Sequence, residues 1–231
     1  KELDELLTRS ISYIFPSKKE LEEYLLSGKR LKIYLGVDAT GPELHVGHAT
    51  NLIFLEKLRR LGHEVILLFG DFTARIGDPT DKSAARKRLT QDEVLQNIAG
   101  WKQQAQKILD FDSKDNPATI LKNSAWLLGL PLEKLLEIAA TMTAQQMLER
   151  DMFQKRLEER KPIYLHEFFY PLMQGYDSVA MNVTAEVGGN DQLFNMFVGR
   201  ELQKKYNNTE KFVIATTLLE HPLTGKKLMS K

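Results

Sequence analysis

There is no cysteine among the 231 residues, which excludes a disulfide framework, a thiolate metal site and a cysteine nucleophile. A surplus of one charge is missing too: 32 Lys and Arg stand against 31 Asp and Glu, a net charge of +1. Binding driven by gross charge is thereby set aside, although a local basic patch is not. Long apolar runs are absent. The longest, Val65 to Phe69, is far too short to span a bilayer, and the opening KELDELLTRS has no apolar signal-peptide core. These absences predict a soluble cytoplasmic protein with no membrane partner. What is present, 42% apolar and 27% charged residues, is the balance of a globular chain of one large domain or two small ones.

Hydrophobic periodicity divides the chain. Leu3, Leu6, Leu7 and Ile11, then Leu21, Tyr24 and Leu25, fall at helical spacing, and Gly28 is a plausible C-cap, so residues 1–30 read as a helical segment. LKIYLGV (31–37) and EVILLF (64–69) are short apolar runs that read as buried strands, with an amphipathic helix from His45 to Leu61 between them. A crossover of that length predicts parallel strands in a right-handed βαβ unit. The stretch 70–90 is rich in Gly, Asp, Pro and Thr, carries Lys82, Arg86, Lys87 and Arg88, and reads as a long functional loop. Helix follows over 91–110, a third strand within 118–127, and an all-helical stretch over 131–160. Another helix is expected over 164–180, a strand over 183–189, a helix from Asp191 to Tyr206 and a strand over 211–219. The pattern is α/β: a parallel sheet in two halves, 31–130 and 166–231, separated by a helical insertion at 131–165. Ligands of such sheets bind at the carboxyl ends of the strands, near the switch in strand order.

Three constellations bear on chemistry. His45-Val46-Gly47-His48 stands where the first strand's loop enters a helix. Two histidines three residues apart share a helical face, the helix N-terminus attracts anions, and Gly47 lets a flat ring approach the backbone. A nucleoside triphosphate site follows, with helix capping or packing as the plainer alternative. Zinc is the remaining rival, but no third ligand has suggestive spacing. At the other end, Lys226, Lys227 and Lys231 flank Leu228-Met229-Ser230 after the last expected strand. Between them lies Tyr-Pro-Leu-Met-Gln-Gly-Tyr-Asp (170–177), in which Tyr170, Gln174 and Asp177 form one stripe along a helix. The stripe is either a buried network joining two helices or the polar wall of a small-molecule pocket.

HxGH joined to a KMSKS-type loop resembles the two-part signature of class I aminoacyl-tRNA synthetases. YPxxQxYD resembles the amino-acid-binding helix of the tyrosyl-tRNA synthetases within that class. The likeness extends to YLGVDAT (34–40), GDPT (77–80), Asn123 and GGNDQ (188–192), and so covers essentially the whole chain. It implies a Rossmann-like nucleotide-binding core that activates L-tyrosine with ATP, releases pyrophosphate and passes tyrosine to the 3′ end of tRNA(Tyr). Magnesium would be carried on the phosphates.

Residue by residue, the resemblance implies that Tyr34 and Asp177 hydrogen-bond the substrate phenol. Asp78, Tyr170 and Gln174 would hold its ammonium, with Asn123 supporting Asp78, and Gln192 would lie near its carboxylate. Asp38, Asp191 and the backbone at Gly36 and Gly188 would contact ribose or adenylate, with Gly47 beside the nucleotide. Thr40 and His45 would meet the departing phosphates and His48 the nucleotide, while Lys82, Arg86 and Lys231 would grip pyrophosphate. The insertion would form a homodimer interface, with Phe153, Phe168 and Phe169 as candidates for it or for the core. Leu228 departs from the family loop, where a Lys is usual. With the chain stopping at Lys231 inside that loop, the reading is a catalytic-domain fragment without an anticodon-binding domain. The rivals are a tryptophanyl-tRNA synthetase, a small-molecule nucleotidylyltransferase and a non-catalytic synthetase-like RNA-binding protein.

Overall fold

The computed structural model describes residues 2–80 and 89–218. In chain order the elements are α1 (Glu2–Thr8), β1 (Ile11–Phe15), α2 (Lys18–Leu26), β2 (Lys32–Val37), α3 (Val46–Arg60), β3 (Glu64–Phe69), α4 (Gln91–Ala105), β4 (Thr119–Lys122), α5 (Ser124–Leu127), α6 (Leu132–Ala139), α7 (Ala144–Leu148), α8 (Asp151–Glu158), α9 (Phe169–Met181), β5 (Ala185–Gly189), α10 (Leu193–Asn207) and β6 (Phe212–Thr216). Among the described residues six strands form one sheet in the order β1-β6-β5-β2-β3-β4. All neighbours pair in parallel except β1, which lies antiparallel on β6.

The α/β expectation holds, and its strand–helix–strand unit is β2-α3-β3 in parallel register from Lys32↔Glu64 to Val37↔Phe69. The opening segment is a correction. Ile11 does not continue a helix: Ser10 turns the chain at φ +62, and Ile-Ser-Tyr-Ile-Phe then runs as an edge strand. Apolar residues spaced for a helix were followed by a run whose β-branched and aromatic composition favours a pleated surface. Gly28 is confirmed as a helix stop, at φ +77 after α2. The insertion is helical but broken into α6, α7 and α8, because Thr143 and Gln146 form a capping box that starts a new helix after Thr141 and Met142. Within 118–127 the strand occupies Thr119–Lys122, and Asn123 already caps α5.

The period of two along β2 decides what each face does. Ile33, Leu35 and Val37 point into a core with Leu52, Leu55 and Leu58 of α3 and Trp101 of α4. Tyr34 points the other way, into a cluster with Ile66, Leu68, Met181 and Val183 beneath α9. α9 and α10 cross closely where Gly175 sits: a Cβ there would come 2.9 Å from both Val198 Cγ1 and Leu202 Cδ1. Phe153 is fully buried, while Phe168 and Phe169 are partly buried and pack against a core cluster with Ile138 and Leu172. No helix among the described residues is long and apolar enough to cross a membrane.

Candidate active site

The chain runs from β2 outward to β3 and β4, then returns to β5 and β6 on the other side of β2. The strand order therefore switches between β2 and β5. A cleft of about 720 Å³ opens there, at the carboxyl ends of the strands, as parallel sheets require. It is bordered by Gly36, Asp38, Thr40, His45, Gly47 and His48 from the β2–α3 side. Asp78 enters from the loop after β3; Tyr170, Gln174 and Asp177 from α9; Gly188, Asp191 and Gln192 from the end of β5. Four separate stretches of the sequence are thus brought to one cleft.

At the α3 end, the first turn of the helix borders the cleft through His45, Gly47 and His48. His45 is the N-cap, and its backbone N–H donates to His48 Nδ1 at 3.2 Å. That bond leaves the neutral His48 ring with its hydrogen on Nε2. The rings of His45 and His48 stack with centroids 3.7 Å apart, and His48 also rests on Trp101 at 4.9 Å. The capping alternative is therefore partly right: the histidines hold the turn while their outer edges border the cleft. Thr40 Oγ1 is buried with no hydrogen-bond partner among the described residues. Asp38 accepts from Thr73 Oγ1 at 2.8 Å and from Tyr170 Oη at 2.9 Å. Gly70 makes this possible, since a Cβ there would lie 2.0 Å from Asp38 Oδ1 and 2.2 Å from Thr73 Oγ1.

At the α9 end the polar groups are buried and tied together. Asp177 accepts from Trp126 Nε1 at 2.7 Å and Asn123 Nδ2 at 3.2 Å. Tyr34 Oη lies 3.0 Å from Ser178 Oγ, and both Tyr34 and Asp177 are buried away from bulk water. Gln192 Nε2 donates to Asp78 Oδ2 at 2.7 Å. Asn195 Nδ2 bridges Gln174 Oε1 at 3.0 Å and Gln192 Oε1 at 3.1 Å. Burial raises both the Tyr34 and Tyr170 hydroxyls well above the usual phenol value; for Tyr34 the charges of Glu186 and Asp177 add to it, for Tyr170 those of Asp38 and Asp78. Burial likewise pushes Asp177 well above the carboxylate range, opposed by its Trp126 and Asn123 donors. Arg150, between the insertion's helices, is buried over the Phe194 ring at 4.3 Å, and burial draws it down to about 10 against the charge of Asp78.

Two candidate residues stand behind the cleft wall. Tyr34 backs it from the sheet, close enough to Asp177 for that charge to act on its hydroxyl. Asn123 is the second, and here the expectation is corrected. It holds Asp177 and Thr73 rather than Asp78, because its place at the end of β4 puts its amide beneath α9; Asp78 is held by Gln192 instead. Lys82, Arg86 and Lys231, with Leu228, lie outside the described residues. Trp126, Ser178, Glu186, Asn195 and Lys211 were not singled out from sequence. The available signal was weak: one Glu in the apolar AEVGG run and one Lys opening KFVIAT.

The family described as tRNA synthetases class I (W and Y) matches residues 26–231, and the chain belongs to it. Within that family it is similar to tyrosine–tRNA ligases: 44% identical to that of Moorella thermoacetica over 98% of this chain, and 48% to that of Legionella pneumophila (strain Lens) over 97%. The chain spans about half the length of these relatives, 54% and 55% respectively. The C-terminally truncated mitochondrial tyrosyl-tRNA synthetase of Aspergillus nidulans superposes with a TM-score of 0.82 at 25% identity, covering 98% of this chain and 71% of that one. The tyrosyl-tRNA synthetase of Archaeoglobus fulgidus complexed with L-tyrosine shares the fold, with a TM-score of 0.75 at 22% identity over 99% of this chain and 67% of that one.

Proposed function

We propose that the cleft binds L-tyrosine at its α9 end and ATP at its α3 end, and joins them as tyrosyl-adenylate. The observation that carries this reading is buried Asp177 at one end of a cleft, backed by buried Tyr34 behind the wall, with a histidine-capped helix N-terminus at the other end. A pocket built around a phenol leaves its own polar groups unpaired when the hydroxyl is missing, which is how it would reject other aromatic side chains. Asp78, Tyr170 and Gln174 would hold the ammonium, and Gln192 would lie toward the carboxylate. Asp38, Asp191 and the backbone at Gly36, Gly47 and Gly188 would receive the nucleoside.

In the reaction the tyrosine carboxylate attacks the α-phosphorus, the bond to the bridging oxygen breaks, and pyrophosphate leaves with that electron pair. The nucleophile is already ionised at pH 7, so no general base is required. What the chain supplies is orientation and stabilisation of charge gathering on the phosphates. Thr40 and His45 border the cleft where that charge would develop, and Lys82, Arg86 and Lys231 would add cations. Among the described residues no group of three or more metal-ligating side chains occurs, and magnesium, which binds through few protein ligands, would arrive on the triphosphate.

Transfer to tRNA(Tyr) would follow, and a second copy of the chain would sit on the insertion. There Leu132 and Leu136, one turn apart on α6, are 70% and 61% exposed, an apolar face that burial between copies would remove from water. Tyrosine-dependent ATP–pyrophosphate exchange in the intact protein tests the reading. Exchange is expected with tyrosine, together with a thermal shift for tyrosine and none for tryptophan. Exchange driven by tryptophan, or by neither amino acid, would overturn it.

A further inference from the structure

Behind the α9 end of the cleft lies a buried lysine that the activation chemistry does not use. Lys211, immediately before β6, is fully buried, and its Nζ donates to Ser178 Oγ at 2.6 Å and to the Glu186 carboxylate. Ser178 Oγ is in turn 3.0 Å from Tyr34 Oη. Glu186 also accepts from Gln174 Nε2, at 3.3 Å. The chamber exists because residue 199 is glycine: a Cβ there would lie 2.6 Å from Lys211 Nζ and 2.9 Å from Ser178 Oγ. Burying an ammonium is costly unless it is paired and hydrogen-bonded, so the arrangement is a specific one.

Hydrogen bookkeeping gives the chain of bonds a direction. An ammonium has donors only, so Ser178 Oγ accepts from Lys211. With Ser178 giving its single hydrogen to the Tyr34 oxygen, the arrangement in which each hydroxyl donates once along the chain, the Tyr34 hydrogen is left for a group beyond it. Glu186 competes for that hydrogen: it hydrogen-bonds Tyr34 and its charge reaches the hydroxyl, while its carboxylate also accepts from Lys211 and Gln174, and a bound phenol would have to draw the Tyr34 hydrogen from it.

We propose that Lys211 is a positioning residue: acting through Ser178, it orients the Tyr34 hydroxyl as a donor toward the phenol oxygen of the bound amino acid. This rests on the reading of the α9 end as a tyrosine pocket. It adds to that reading a specificity element made of Lys211, just before β6, and Ser178 of α9, neither of which borders the cleft.

The test is equilibrium binding of L-tyrosine and L-phenylalanine to the intact protein, to Ser178→Ala, and to the charge-neutral pair Lys211→Met with Glu186→Gln. Phenylalanine lacks the oxygen that the relay addresses. Both variants are expected to lose about tenfold in tyrosine affinity while phenylalanine affinity stays within about twofold. Parallel loss of both ligands, or an undiminished preference for tyrosine in Ser178→Ala, would overturn the relay and leave the pocket reading standing. A parent protein with no preference for tyrosine would overturn both. Should the double variant not fold, Ser178→Ala alone decides, since it removes one hydroxyl and leaves the Lys211–Glu186 pair in place.

Discussion

The two ends of the cleft are built in different ways. At the α3 end the functional surface is backbone, a glycine and two half-buried histidines that also serve as the helix cap. At the α9 end it is a closed set of buried side chains, in which Asp177, Tyr34, Gln174 and Gln192 each have a named partner. On the proposed reading, the first arrangement would meet charge that appears only during reaction, and the second would fix groups in advance around a ground-state ligand. Mutations at the two ends should therefore separate rate from affinity.

The largest separation is expected at His45. His45→Ala should slow tyrosine-dependent pyrophosphate exchange about 100-fold while tyrosine affinity is nearly unchanged, as pre-steady-state exchange and equilibrium binding would read. Equal loss in both would erase the distinction between the ends. A smaller effect is expected at Gly70, which supports the joint between them. Gly70→Ala forces Asp38 and Thr73 apart, because the new methyl would sit 2.0 Å and 2.2 Å from their oxygens. It should cost about 1–3 kcal/mol in denaturant unfolding and weaken ATP binding more than tyrosine binding.

The smallest effect concerns a site remote from both ends. On α3, Glu56 accepts from Arg59 Nε at 2.7 Å and Arg60 Nε at 2.7 Å, and these bonds hold its carboxyl down at about 2. A lowered carboxyl stabilises the fold above its unfolded value of 4.5, and that contribution is lost as pH falls from there toward about 2. Glu56→Gln should flatten this acid limb by about 1–2 kcal/mol, after allowance for solvent screening. Tyrosine and ATP binding should both be unaffected, which makes it the control for the other variants.

Much of this was legible in the sequence because the signals were local. β2, α3 and β3 follow from apolar periodicity, and the HVGH and YPLMQGYD runs each present their chemistry within a few residues. What escaped was set by pairings distant along the chain. β1 is a strand because it finds the edge of β6, some 200 residues on, with Phe15 opposite Val213. Asn123 meets Asp177 rather than Asp78 because β4 ends beneath α9, and no spacing along the chain states that. Lys211 and Glu186 look like isolated charges in apolar runs until β5 and β6 lie side by side. Trp126 was equally silent, its indole donating to Asp177 from a four-residue helix.

β2 carries Tyr34, Gly36 and, just past its end, Asp38, and it is flanked on both sides by paired strands. On the proposed reading a single ribbon would serve both cosubstrates, and sliding it by one position would turn the Tyr34 phenol into the wrong layer and displace the proposed nucleoside contact together. Any retooling of such a scaffold for a different amino acid has therefore to proceed on α9 and its supports, where one side chain can be exchanged without disturbing the neighbouring ligand.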